Sequence, residues 1–258
     1  GIPKQAINLH NEMKRVVKLI DDLQPEIIFL TTPHSIALSN DYGIYLNKGA
    51  SGTAEWNGEY QEYSVKVDIN QEISNQLLGY LYEKETAIHG ILAYTKGVNI
   101  PIRWGEAVPL WFLRNLSSNP EYIILSQTLR RLEQVKELIP ETITLGNNLS
   151  LFFERIEKRV VVIISADLGH THNPEGPFGF AEEAETFDKM IQEWAVSLDG
   201  KMLTKKILPL LGKALCCGFI GFVILQGMIN NKGFIPNVLI RETPTYYGMM
   251  IASYLKKY

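Results

Sequence analysis

The run Arg159-Val-Val-Val-Ile-Ile164 constrains the fold more than any other part of the chain. β-Branched side chains fit a pleated surface, and an unbroken apolar run leaves no face for water. The run therefore reads as a strand buried on both faces of a parallel sheet. Directly after it comes Ser165-Ala-Asp-Leu-Gly-His-Thr-His-Asn-Pro-Glu-Gly-Pro-Phe-Gly-Phe180. Open α/β folds place their ligands at the carboxyl ends of the strands. Asp167, His170 and His172 stand at such an end. Two imidazoles and a carboxylate there can bind a metal or move protons.

A second run of this kind, Pro25-Glu-Ile-Ile-Phe-Leu-Thr-Thr32, is followed by Pro33 and His34. Alone, His34 reads equally as a turn histidine or a ligand. If the two strands are parallel neighbours, their ends converge and the ligand reading gains weight. Helical spacing marks Lys4 to Asp22, Gln71 to Glu85, Leu129 to Glu137, Asn147 to Lys158 and Ala181 to Leu198. Pro109 suits the first turn of a further helix. Tyr42 to Asp68, with Gly49, Gly52 and Gly58, suggests hairpins or an edge excursion. Gly90 to Thr95, Tyr122 to Ser126 and Asn237 to Arg241 read as strands, and Tyr247 to Leu255 as a final helix. Strands alternating with helices predict an α/β fold. The expected architecture is a single domain over residues 1–258. Its central sheet is mostly parallel (mixed), with helices flanking both faces.

Composition excludes several classes. The 258 residues are 46% hydrophobic and 21% charged, as in ordinary globular chains. A formal net charge of −3 without a basic run gives no nucleic-acid footprint. Two adjacent cysteines, Cys216 and Cys217, imply no disulfide framework and fit a reduced, cytoplasmic setting. Ile207 to Ile229 is apolar enough to suggest a membrane span, but Pro209, Lys213 and Gln226 interrupt it. It is expected to be a buried core helix, with Lys213 and Gln226 near its ends reaching water.

Each candidate site residue has a plainer reading. His170 and His172 face one way in extended backbone, a common metal geometry, but diverge in a loop. Glu106 either lines the same strand-end mouth or serves as a first-turn helix carboxylate. Trp104 either walls an aromatic pocket or packs in the core. Cys217 is either a small hydrophobe or a thiolate ligand. His10 and His89 read as surface or cap residues. No phosphate loop, nucleophile elbow or zinc-finger spacing occurs.

Four segments, in order, resemble the class III extradiol ring-cleavage dioxygenases, the family of the protocatechuate 4,5-dioxygenase catalytic subunit. They are Pro25 to His34; Arg103-Trp-Gly-Glu-Ala-Val-Pro-Leu-Trp-Phe-Leu113; Ser165 to His172 with Gly176-Pro-Phe-Gly179; and Glu242-Thr-Pro-Thr-Tyr-Tyr-Gly-Met249. The likeness is greatest to uncharacterised archaeal and bacterial members. It implies an Fe(II) centre held by histidines and a carboxylate, acting with O₂ on a catechol-like aromatic substrate. On this resemblance His34 is a metal ligand and His170 the acid/base, while His172, Glu106 and Trp104 shape the substrate pocket. A first ligand histidine would lie after a strand preceding Gly1. Trp104 stands where a histidine is common. Cys217-Gly218 resembles the cysteine ligand of the related Memo proteins. The alternatives are a non-catalytic, Memo-like metal-binding protein and a zinc hydrolase using His34, His170 and His172. No nucleic-acid or membrane partner is expected, and a homodimer is one option.

Overall fold

Strand β1 (Ile27–Thr32) is buried at every residue. Ile28 and Leu30 enter one core cluster, and Ile27 and Phe29 enter another. This alternation follows from the pleat, and it places β1 at the centre of a layered fold.

The computed structural model describes residues 6–230 and 233–256. Helix α1 (Ile7–Asp22) precedes β1. Strands β2 (Tyr42–Tyr45), β3 (Gly49–Thr53) and β4 (Ser64–Asp68) follow, then α2 (Gln71–Glu83) and strands β5 (Ile88–Ile91) and β6 (Asn99–Ile102). Helix α3 (Trp104–Leu113) leads to β7 (Glu121–Ser126), a short 3₁₀ turn at Leu129–Leu132, α4 (Val135–Phe153) and β8 (Val160–Ile164). After α5 (Glu183–Ser197) comes an irregular helical stretch from Met202 to Leu210, then α6 (Leu211–Ala214) and α7 (Phe219–Ile229). Strands β9 (Phe234–Glu242) and β10 (Met249–Lys256) close the chain.

The central sheet has the order β5-β2-β7-β1-β8. All its pairings are parallel except β2 with β7. This is the mixed, mostly parallel sheet expected. Helices α1 and α3 cover one face, and α2, α4 and α7 the other. A three-stranded sheet, β4-β3-β6, extends the first core, and β9 and β10 form an antiparallel pair. Among the described residues no helix is long and apolar enough to cross a membrane.

The structure corrects several local expectations. The β8 run is half-buried throughout, not buried on both faces, because β8 is the edge of the sheet. Helix α3 starts at Trp104, and Pro109 lies inside it. A capping box between Arg103 and Glu106 sets that earlier start. The expected helices at 129–137 and 147–158 are a 3₁₀ turn and one long helix, α4. The expected final helix at 247–255 is strand β10, which finds its partner in β9.

The apolar late segment is not one helix. It breaks at Leu215, whose φ is 54°, and resumes at Phe219. Lys213 is exposed, as expected. Gln226 is buried instead, with Oε1 accepting from Trp194 Nε1 at 2.6 Å and Nε2 donating to Asn230. A tryptophan N–H needs an acceptor once it is buried, and Gln226 supplies it here.

Candidate metal centre

Parallel β1 and β8 are direct neighbours, with Thr31 paired to Ile164. The residues after each strand therefore leave the sheet side by side. His34 comes from one and Asp167 from the other, and His34 Nε2 lies 3.3 Å from Asp167 Oδ2. Cys217, in the break before α7, completes the cluster. One ligand atom from each of the three lies within 4.8 Å of the other two. It is the one such His/Cys/Asp/Glu group among the described residues, and all three side chains are half-buried.

Local contacts aim these groups. Gly218 N–H donates to Asp167 Oδ1 at 2.9 Å, leaving Oδ2 turned toward the histidines. Cys216 Sγ donates to the Asp167 carbonyl at 3.2 Å, on the backbone side of the same residue. A side chain at Gly218 would have its Cβ 2.6 Å from the Asp167 carbonyl, so only glycine allows this approach. Gly105 likewise brings the start of α3 against the His34 backbone. There Trp104 lies over the imidazole, with ring centres 4.4 Å apart.

His170 stands beside the cluster. Its Nε2 is 3.5 Å from Asp167 Oδ2, and its Nδ1 is bonded to the Leu168 carbonyl at 3.1 Å. A carbonyl only accepts, so that contact places a proton on Nδ1 and leaves Nε2 to face the site. Tyr247 stacks on the ring at 5.5 Å between centres, and Phe178 meets it edge-on at 5.6 Å. Burial raises the Tyr247 hydroxyl above its ordinary value, helped by Tyr246 and Asp167.

Two candidate residues do other things. His172 Nε2 contacts Asp188 Oδ2 at 2.8 Å, and Asp188 also accepts from Gly169 N–H at 2.8 Å. The pair ties the loop carrying His170 to α5, and the three-histidine set is not the group brought together. Glu106 is buried and accepts from the Tyr45 hydroxyl at 2.7 Å and from Arg103 N–H. Burial holds its carboxyl above the ordinary range. Burial also pushes the Cys217 thiol up to about 11, with Asp167 adding to the effect and Arg131 opposing it.

Residues 2–255 match the family described as the catalytic LigB subunit of aromatic ring-opening dioxygenase. The chain belongs to this family. A curated relative, Protein CA_C1420 of Clostridium acetobutylicum, is 24% identical over 192 residues, which is 73% of this chain and 39% of that protein. The chain thus spans well under half the length of that relative. LigB dioxygenases are metal-dependent and work on small molecules with O₂, and His34, Asp167 and Cys217 form a group whose donor atoms could hold a metal ion.

The sequence reading assigned ligand roles to His34 and Cys217 separately and gave only a general metal-or-proton role to Asp167. Its signal was present: Asp167 follows β8 just as His34 follows β1. Phe178 and Tyr247 stood in segments that carry the resemblance but were given no role, and Arg131 was not named. Tyr247 fell in the stretch read as a helix. Arg131 stands beside the site, its guanidinium donating to the Pro33 carbonyl at 2.6 Å, one residue before His34.

Proposed function

We propose that the protein is an Fe(II)-dependent extradiol-type dioxygenase that opens the ring of a catechol-like substrate. The observation that carries this reading is the cluster of His34, Asp167 and Cys217 with His170 Nε2 alongside Asp167. The donor set fits a divalent transition metal: one imidazole, one carboxylate and one thiol, drawn together at a strand-end mouth. His34, Asp167 and Cys217 would hold Fe(II). Bound there, it would supply a Lewis acid for both substrate hydroxyls and a redox partner for O₂.

The remaining chemistry belongs to the chain. His170, protonated at Nδ1 by its bond to Leu168, offers Nε2 to take a proton from a substrate hydroxyl. Tyr247 and Phe178 hold that ring from two sides. Trp104 and Phe178 give the mouth apolar walls suited to a planar aromatic. His172 and Glu106 act behind these groups, His172 on the His170 loop and Glu106 at the start of α3. Free Cys216 and Cys217 suit a reducing, cytoplasmic setting.

The test is anaerobic reconstitution with Fe(II), then O₂ with a panel of catechols, following O₂ uptake and the ring-opened chromophore. Stoichiometric iron without product from any catechol would sink the reading. One observation favours a second reading. The thiol of Cys217 stands in the set where ring cleavers of this kind use nitrogen and carboxylate ligands. A thiol suits zinc or a non-catalytic, Memo-like metal-binding role. Zinc retained in preference to iron during purification would favour it.

A further inference from the structure

A groove of about 860 Å³ opens beside Cys217, running between the Leu129–Leu132 turn and the stretch from Thr204 to Leu215. His170 and Cys217 are among its lining residues, and Leu132, Val135, Leu208 and Phe219 give it apolar walls. Such a volume lies at the upper end of small-molecule sites, about 300–1,000 Å³, and far exceeds what one catechol ring fills.

Charge distinguishes one wall. Lys136 and Lys205 line the groove and are matched in number by Glu133 and Glu137. Arg131 is the remaining cation. Its Nη1 and Nη2 donate to the Thr128 and Pro33 carbonyls, and its Nε is buried without a partner. Among the described residues it makes no ion pair, and the acidic groups acting on it are Cys217 and Asp167. If those two give their charges to a divalent metal, a neutral His34 brings the site to zero. The Arg131 charge is then uncompensated in a partly buried place, an arrangement that favours an incoming anion.

We propose that this groove receives the part of the substrate beyond the reacting ring, and that Arg131 pairs with a carboxylate carried there. The substrate class is an aromatic acid larger than a single ring. This rests on the dioxygenase reading for the identity of the reacting ring, but the groove and its anion preference are testable without turnover.

The experiment measures equilibrium binding of 2-naphthoate and of neutral 2-naphthalenemethanol to the metal-loaded protein, by calorimetry. Native protein is expected to bind 2-naphthoate saturably and more tightly than the alcohol. Arg131→Met should weaken 2-naphthoate by about tenfold or more, the scale of a charge-assisted hydrogen bond, and leave the alcohol within about twofold. Arg131→Lys keeps the charge and should fall between. It carries the test if the methionine variant does not fold, since Arg131 also supports two carbonyls. Gly212 lines the groove, and a Cβ there meets nothing within 4 Å, so Gly212→Trp should fold and block both ligands. Metal content is read for every variant. No 2-naphthoate binding by native, metal-loaded protein overturns the proposal. So does equal weakening of both ligands by Arg131→Met, or full binding by Gly212→Trp. Intact binding with no ring cleavage of any catechol would sink the dioxygenase reading and leave the groove assignment standing.

Discussion

His34 Nε2 lies 3.3 Å from Asp167 Oδ2, although 133 residues separate the two in sequence. The parallel register of β1 and β8 makes this contact, because both residues follow strands that end level with each other. Two polar groups at one strand end, with Cys217 beside them, gather three donor atoms in a place partly shielded from water.

Removing a member of that cluster should remove metal. Loss of a residue that merely orients a ligand costs about 10–100-fold in affinity, so His34→Ala and Cys217→Ala should each exceed that range. Asp167→Asn is the sharper variant. It keeps an oxygen for Gly218 N–H and loses only the charge. Competition against a chromophoric chelator measures each affinity. Unchanged affinity in Asp167→Asn would take Asp167 off the ligand set.

His170→Ala should spare metal and slow turnover by about 10²–10⁴-fold, the range of a general acid or base. His172→Ala should act differently. It leaves the buried Asp188 carboxylate with less hydrogen bonding and should cost about 1–3 kcal/mol in stability. Single-turnover rates, metal content and urea melts separate the two. Metal loss in His170→Ala would make His170 a ligand instead.

Metal uptake should depend on pH through Cys217. Burial first, then Asp167, lifts its thiol to about 11, so the metal-free protein holds it protonated near neutrality. Binding must then displace one proton. Above about pH 7, where an ordinary histidine is neutral, affinity should climb roughly tenfold per pH unit. Cys217→Ser should flatten the slope. An equally steep dependence in that variant would place the displaced proton elsewhere.

Gly218→Ala should disturb the site without touching a ligand side chain. The added methyl would press on Asp167 and Ala166. Overpacking of this kind costs about 1–3 kcal/mol, and it should also shift Asp167 away from His34. Full stability together with full metal affinity would show that the break before α7 yields freely.

Glu106 should give the fold a pH dependence of its own. Its carboxyl titrates above the ordinary value when folded, mainly from burial. Folding therefore favours the protonated form. That contribution is fully present below the unfolded value, near 4.5. It is lost as pH rises through the raised folded value. Glu106→Gln can still accept from Tyr45 and should lose this part of the slope. Urea melts from acid to neutral pH check it, and parallel slopes in the two proteins would refute it.

Much of the site was legible because strand-forming runs are local. The β-branched run of β8 and the apolar run of β1 each announce a strand, and His34 and Asp167 sit at their ends whatever the rest does. The errors came where a partner far along the chain decides. Tyr247 to Leu255 has apolar spacing compatible with helix, yet β9 offers it a ladder of backbone bonds and it becomes β10. The 207–229 stretch is apolar enough for one helix, yet the chain turns at Leu215, and α7 starts afresh after Gly218, whose N–H goes to Asp167.

The amino-acid sequence by itself determined the α/β class, the places of the main strands along the chain and the strand ends after which His34 and Asp167 stand. Each of these depends on side-chain periodicity within a single segment. Only the tertiary structure decided that Asp167 and Cys217 join His34 while His172 turns to Asp188. Those choices depend on sheet register and on which backbone groups lack partners. Neither is encoded in any one segment, because both arise when distant segments compete for the same buried hydrogen bonds.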